Sequence, residues 1–477
     1  MKKYFYITTT LPYVNDKPHI GFASEIVLAD ARARFEGSLG KEVVFNTGTD
    51  EHGAKIWQKA REEARDVQEY VDEYAAKFDE LKKMLNLSYT NFIRTTDEKH
   101  LRAVREMWKR VDQNGYIYKK KYKIKYCIGC ELEKTDSELI DGCCPLHPGK
   151  ELEIIEEENY FFKFSAFQEK LLELYKDNPD FVIPQKRLNE ISSFVERGLE
   201  DFSVSRLKEK MPWGVPVPGD DSQVMYVWFD ALTNYISTLG WPDDKENFEK
   251  FWGTEENPNA VQIAGKDNLR QQSAMWQAML IAADLPTSKQ VFINGFIGVD
   301  GQKMSKSLGN VISPKEMVAK FGVDGTRYLL LTKGTFGEDS DISWEKLTGK
   351  YNSDLANGLG NLVSRVIVLS GDLDFKTSGS DSVFSEEDVK MMNKMNMDKI
   401  LDNIWNIVRE DNKYIEDRKP WELKKENQEE FEKVMKKLVS DLYHISQLLT
   451  PFMPETSEKI KKALETKERV ILFEKIR

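Results

Sequence analysis

The sequence predicts an α/β protein whose parallel sheet is interrupted by an inserted domain and followed by an all-helical bundle. Three observations predict it. Short aromatic and β-branched runs alternate with helical stretches in the first 50 residues and again near 260–295. A lysine- and cysteine-bearing stretch of different character separates the two regions. Beyond Tyr351 the strand signals almost vanish.

Residues 4–10 and 43–47 read as strands around a helical stretch at 23–35. Residues 261–264 and 291–294 read the same way, with helical sequence at 273–283 between them. Such alternation implies a parallel sheet covered by helices on both faces. The intervening stretch, 118–222, begins with Lys119, Lys120, Lys121, Lys123 and Lys125 and ends in a proline-rich piece. It reads as an insertion. In the last segment Ile400, Ile404, Ile407 and Val408 follow helical spacing, as do Val434, Leu438, Leu442, Ile445 and Leu449 before Pro451 and Pro454. Residues 377–385, mostly Ser, Thr, Gly and Asp, read as a loop between helices. The predicted units are 1–117 and 223–300 for the sheet, 118–222 for the insertion, 301–350 for a loop region and 351–477 for the bundle.

Composition excludes several classes. Sixty-nine basic against 80 acidic residues leave a net charge of −11, so this is no bulk-basic nucleic-acid binder. No run of 18 apolar residues exists and the start lacks a signal-peptide core, so neither a membrane span nor secretion is predicted. The only four cysteines, Cys127, Cys130, Cys143 and Cys144, lie within 18 residues of one another and close to His147. Clustering of this kind points to a metal in a reducing compartment, and we read the protein as cytoplasmic. Cys127-x2-Cys130 followed by Cys144-x2-His147 has knuckle spacing, suited to a tetrahedral Zn²⁺ with three thiolates and one imidazole. Cys143 is the alternative third sulfur, with a less typical spacing to His147. A closed ligand set implies a structural metal.

Two further motifs carry chemistry. Pro18-His19-Ile20-Gly21 follows the first strand and precedes a helix, where free backbone N–H groups and the helix dipole favour an anion. Glycine lets a ligand approach the backbone, and a histidine can donate to a phosphoryl group as charge builds. About 285 residues later, Lys303-Met304-Ser305-Lys306-Ser307 lies between Gly301 and Gly309. Two lysines on such a loop can neutralise a triphosphate, although either motif alone is also compatible with an ordinary capped turn or a solvated loop.

Together the two motifs resemble the signature pair of the class I aminoacyl-tRNA synthetases. Further stretches resemble the methionyl-tRNA synthetase family: 10–15 (TLPYVN), 47–53 (TGTDEHG), 226–232 (YVWFDAL), 265–267 (GKD) and 354–357 (DLAN). The resemblance spans nearly the whole chain. It implies a Rossmann-type catalytic domain split by a zinc-knuckle insertion, then an α-helical anticodon-binding bundle, with 301–350 as the signature loop and stem-contact region. The implied reaction activates L-methionine with Mg²⁺-bound ATP to methionyl-adenylate and pyrophosphate, then esterifies the terminal adenosine of tRNA-Met, initiator and elongator alike. No protein nucleophile is needed, because positioning and electrostatics suffice.

By the same resemblance, Leu11, Tyr13, Trp228, Ala231 and Tyr235 match the methionine pocket, and Asp50 matches the acid that holds the α-amino group. A thioether favours polarizable walls and an ammonium a fixed carboxylate. Gly21 and Asp267 match positions near adenine and ribose. His19, Lys303 and Lys306 match the groups that bind ATP and stabilise its phosphates. The knuckle matches one that stiffens an insertion facing the acceptor stem. Asn361 and Arg365, four apart on one helical face, and Pro420 and Trp421 match positions that read the anticodon. For Trp421, core packing and base stacking fit equally well. The lysine run at 119–125 suits either RNA phosphates or a solvated edge strand. His52 fits a structural role. From 351 to 477 there are 21 basic and 24 acidic residues, so RNA binding there must rest on local placement.

Two positions depart from the family pattern. Phe22 stands where the signature has a second histidine, and a phenyl ring cannot donate a hydrogen bond to phosphate. Gln272 stands where the methionine pocket has a histidine, and an amide can still hydrogen-bond. Phe22 is the main support for the rival reading, a non-catalytic RNA-binding paralogue. A Leu-, Ile- or Val-specific relative would need a larger insertion than about 105 residues. A monomer is predicted.

Overall fold

The computed structural model describes residues 3–130, 132–134, 138–304, 309–371, 373 and 383–477. Its centre is a six-stranded parallel sheet in the order Asn91–Arg94, Glu42–Thr49, Tyr4–Thr9, Ala260–Gly265, Gln290–Asn294, Val182–Ile183. Strand Tyr4–Thr9 is buried from Phe5 onward, as a strand covered on both faces must be. The first helix, Ile20–Ser38, packs on one face, and helix Glu98–Gln113 lies on the other. The chain leaves the first half of the sheet at Arg94 and returns beside Tyr4–Thr9 at Ala260. That adjacency makes a switch point between the halves, and ligand crevices form at the carboxyl ends of strands there.

One feature of the insertion differs from the expected layout. Val182–Ile183 lies within 118–222, yet it pairs in parallel with Val291 and Phe292 as an edge strand of the central sheet. Two buried residues are too short a run to show any periodicity. The rest of the region builds an antiparallel sheet in the order Leu132–Lys134, Ile117–Cys127, Glu153–Phe162, Phe202–Ser203. Of the lysine run only Lys125 has a strand on both sides, while Lys119, Lys120, Lys121 and Lys123 pair with Glu153–Phe162 alone and so lie along an edge of the described sheet. Lys121 lies opposite Glu158 and Lys123 opposite Glu156, so the acid-rich neighbour offsets its charge.

The bundle comprises helices Asn361–Ser370, Glu386–Asn393, Met397–Arg418, Pro420–Glu426, Gln428–Leu449 and Pro454–Thr466. The predicted loop at 377–385 falls mostly outside the described residues, but Ser385 is seen as an N-cap, forming a capping box with Asp388. Pro451 lies beyond the end of Gln428–Leu449, while Pro454 opens the next helix at its first position.

A buried arginine joins bundle and sheet. Arg327, on helix Pro314–Leu331, is fully buried and pairs at 2.7 Å with Asp30 of the first helix. Its remaining N–H groups donate to the carbonyls of Leu85, Pro451 and Phe452. A buried charge persists only when paired and fully hydrogen-bonded, and this one is satisfied from three segments. The helix that begins at His19 is thereby fixed against the bundle.

Candidate active site and metal centre

A cavity of about 640 Å³ opens at the carboxyl ends of the four central strands. Thr10 and Leu11 follow the first strand, Asp50 the second, Gly265 and Asp267 the fourth in space, and Asn294 and Gly295 the fifth. These residues are distant in sequence, and the switch point brings them to one rim.

His19 caps the first helix. Its Nδ1 accepts from the Gly21 N–H at 3.0 Å, which in the neutral ring leaves the proton on Nε2. Glycine at 21 is required by this contact, since a Cβ there would lie 2.7 Å from the imidazole. The Ile20 N–H donates to the Ile312 carbonyl at 3.1 Å, so the backbone just after the lysine-rich motif is tied to this turn. Met304 of that motif lines the same cavity and comes within 3.7 Å of where a Gly21 Cβ would be. Lys303 ends strand Gln302–Lys303. Lys306 lies outside the described residues. Phe22 also lines the cavity, edge-on to Phe78 at 5.5 Å.

Tyr13 and Asp50 lie side by side in a parallel bridge, with Asp50 N–H donating to the Pro12 carbonyl and Val14 N–H to that of Asp50. Leu11, Trp228, Ala231 and Tyr235 complete an apolar and aromatic wall around the buried Asp50. Gln272 lines the cavity too, but its amide is engaged within the protein. It donates to the Tyr235 hydroxyl at 2.7 Å and accepts from Gln262 at 2.9 Å. His52 is a clamp. Its Nδ1 meets Asp230, whose other oxygen meets His100, and this carboxylate sits between Trp228 and Ala231 on helix Val227–Leu232.

Several residues at or behind the cavity are not singled out by the sequence. His100 and Asp230 are one case, because nothing in their spacing links them. Glu25 is another. Buried on the first helix, it accepts from both the N–H and the hydroxyl of Thr10, and burial pushes its carboxyl up to about 8. An acid within an apolar helical stretch is the one signal that could have found it. Trp228 Nε1, Gln271 Oε1 and Asn294 Oδ1 belong to cavity-lining residues and have no protein partner among the described residues. Buried polar atoms of this kind are the groups a ligand satisfies.

The four knuckle residues converge. The ligand atoms of Cys127, Cys130, Cys144 and His147 all lie within 4.8 Å of one another. Cys130 Sγ is 3.2 Å from His147 Nδ1 and 3.4 Å from Cys144 Sγ, and Cys127 Sγ is 3.8 Å from His147 Nδ1. Metal–sulfur bonds of about 2.3 Å imply tetrahedral edges of about 3.8 Å, close to these spacings. Cys143 is outside the cluster, its backbone paired with Ile140. Gly129 lets His147 close in, since a Cβ there would lie 2.4 Å from the ring. Burial, then the hydrogen bond with Cys144, pushes the Cys130 thiol up to about 12, a penalty a cation at the centre would remove. Lys55 reaches the Gly129 carbonyl at 2.5 Å, and Cys130, Leu146 and His147 line the cavity, so this cluster borders the cavity that His19 and Asp50 share.

In the bundle, Asn361 donates to Asn412 at 3.2 Å, Arg365 pairs with Glu416 at 2.8 Å, and the Arg365 guanidinium lies 5.8 Å from the Trp421 ring centre. Trp421 is 39% exposed. Pro420 is buried at the first turn of its helix and positions Trp421.

A family model described as tRNA synthetases class I (M) matches residues 5–153 and 148–367, and one described as the anticodon binding domain of methionyl tRNA ligase matches 384–474. The sheet, its crevice and the paired motifs are those of a class I tRNA synthetase. The methionine–tRNA ligase of Caldanaerobacter subterraneus subsp. tengcongensis is 41% identical over all of this chain and 76% of its own length. That of Rickettsia felis is 40% identical over 99% of this chain and 94% of its own. The solved structure of the Mycobacterium tuberculosis methionyl-tRNA synthetase in complex with methionyl-adenylate superposes with a TM-score of 0.88 at 36% identity, covering 96% of this chain and 93% of that one. The chain belongs to the methionyl-tRNA synthetases, enzymes that ligate methionine to tRNA.

Proposed function

We propose the following division of labour for methionine activation and transfer to tRNA-Met, initiator and elongator. Asp50 holds the α-ammonium group. Leu11, Tyr13, Trp228 and Ala231 enclose the side chain, with Tyr235 and its partner Gln272 at the polar end of the pocket. Gly21 and Asp267 receive the adenosine. The Nε2–H of His19, aimed by its cap bond, and the ammonium groups of Lys303 and Lys306 take up charge as the methionine carboxylate attacks the α-phosphorus in line. Mg²⁺ arrives with ATP and neutralises part of its phosphate charge.

Support comes chiefly from one observation. Asp50, held beside Tyr13, and the His19 cap lie on one cavity, so an amino acid and a phosphate meet there. Cys127, Cys130, Cys144 and His147 would hold one structural Zn²⁺, four donors leaving no open position for chemistry. Asn361, Arg365 and Trp421, positioned by Pro420, read the anticodon. Units 1–117 and 223–300, joined by the 182–183 strand, form the catalytic domain, with 118–222 as the insertion, 301–350 as the stem-contact region and 351–477 as the anticodon domain. No helix among the described residues is long and apolar enough to cross a membrane. We read the enzyme as a cytoplasmic monomer.

Amino-acid-dependent ATP–pyrophosphate exchange across the twenty amino acids tests the assignment. Stimulation by methionine is expected; stimulation by another amino acid instead would overturn it.

A further inference from the structure

Behind the Tyr235 hydroxyl runs a chain of buried amides whose direction is set at its far end by the backbone. Gln277 is fully buried on helix Trp276–Ala282. Its Oε1 accepts from the Ser288 backbone N–H at 3.0 Å, and its Nε2 donates to the Gln272 carbonyl at 2.8 Å. A backbone N–H can only donate and a carbonyl can only accept, so the Gln277 amide has one permitted orientation. Its second Nε2 proton therefore points at Ser288 Oγ, 3.1 Å away.

That hydroxyl, accepting from Gln277, passes its own proton to Gln262 Oε1 at 2.5 Å. Gln262 then presents Nε2 to Gln272 Oε1 at 2.9 Å, and Gln272 presents Nε2 to the Tyr235 hydroxyl at 2.7 Å. Reversing any member would leave the Ser288 proton or an amide proton buried without an acceptor. All five side chains are at most 2% exposed, so that cost is not relieved by solvent. Burial holds Tyr235 well above the ordinary phenol range, although the bond from Gln272 acts the other way, so the proton stays on. Among the described residues nothing accepts that proton, and Tyr235 lines the cavity.

We propose that Gln277, Ser288 and Gln262, acting through Gln272, form a one-way hydrogen-bond relay that fixes the direction in which the Tyr235 hydroxyl donates, which makes these three residues behind the pocket determinants of its amino-acid selectivity. This rests on the reading of the cavity as the methionine site. Three members, Gln262, Gln277 and Ser288, are positioning residues outside the cavity. The thioether sulfur is a weak acceptor and a methylene is none, so the relay separates methionine from norleucine, which has the same length and nearly the same shape. With Gln272 in the chain, no relay member ionises, and the polarity is built into amide valence rather than a protonation state.

The test is the ratio of kcat/KM for methionine over norleucine in pyrophosphate exchange, measured in the parent and in Ser288→Ala, Ser288→Thr and Tyr235→Phe. Ser288→Ala removes the link that orients Gln262, freeing the amides to turn and the phenol to donate inward. The ratio is expected to fall about threefold to tenfold, the range of one neutral hydrogen bond, with the KM for ATP unchanged. Ser288→Thr keeps the hydroxyl and should keep the ratio. Tyr235→Phe should lower it at least as far as Ser288→Ala. Because each ratio is internal to one variant, a general loss of active enzyme cancels. An unchanged ratio in Ser288→Ala, or in Tyr235→Phe, overturns the relay while leaving the enzyme assignment intact. Absence of methionine-dependent exchange in the parent overturns both.

Discussion

His52 Nδ1 lies 2.6 Å from a carboxylate oxygen of Asp230, and the same carboxylate engages His100 at 2.9 Å. Burial opposes ionisation of Asp230, but the two imidazoles outweigh it and hold the carboxyl at about 2, below its ordinary 3.8. A carboxyl depressed by folding contributes stability in full above its unfolded value and loses it as pH falls through the folded one. The contribution should therefore fade between about pH 4 and pH 2. Asp230→Asn is expected to cost about 1–3 kcal/mol near neutrality and to flatten that acid limb. It should also raise the methionine KM, because Asp230 sits between Trp228 and Ala231. Thermal melts against pH and steady-state exchange would show it.

His19 combines two tasks that one substitution separates. Asparagine is an effective N-cap but lacks a proton-bearing Nε2. His19→Asn should keep the melting temperature and lower the exchange rate by about 10²–10³. An unchanged exchange rate in His19→Asn would show that the cap, not the donor, is what matters.

Phe22 packs against Phe78 at the edge of the same cavity. If other groups already meet the phosphates, Phe22→His should leave exchange within about an order of magnitude of the parent or raise it. A parent without exchange that gains it on this change would instead mark the chain as a disabled paralogue.

The four residues that could hold a metal ion include Cys144 and leave out Cys143. Cys143→Ser should retain one zinc per chain by elemental analysis. Cys144→Ser should lose it and lower the melting temperature, since a structural metal contributes directly to folding.

Arg365 and Trp421 lie far in sequence from the adenylate cavity and next to each other in the bundle. Trp421→Ala should raise the tRNA KM by about 5- to 150-fold, the 1–3 kcal/mol typical of one stacked base. Methionine-dependent exchange without tRNA should not change. Aminoacylation and exchange measured side by side distinguish the two steps.

Much of this site is legible in the sequence, because the residues concerned act within short stretches. His19 and Gly21 share one turn, and Cys127, Cys130, Cys144 and His147 form two local pairs. Local backbone geometry suffices to aim them. The strands at either end of the α/β region are legible for a similar reason, since burial on both faces imposes continuous apolar runs. Val182–Ile183 is not, being an edge strand of two residues inside a stretch of other character.

The family, the two signature motifs, the knuckle ligands and the helical C-terminal region are all written in the order of the residues. The folded arrangement was needed to show that Cys143 stands apart, that the lysine strand faces glutamates, and that His52 serves Asp230. It alone joined Arg327 to Asp30 and the bundle, and Gln277 to Tyr235 through three intermediates. Hydrogen-bond direction and the ionisation of a buried group depend on every neighbour that has replaced water around it. Those neighbours come from strands and helices up to hundreds of residues apart, so no local pattern contains them.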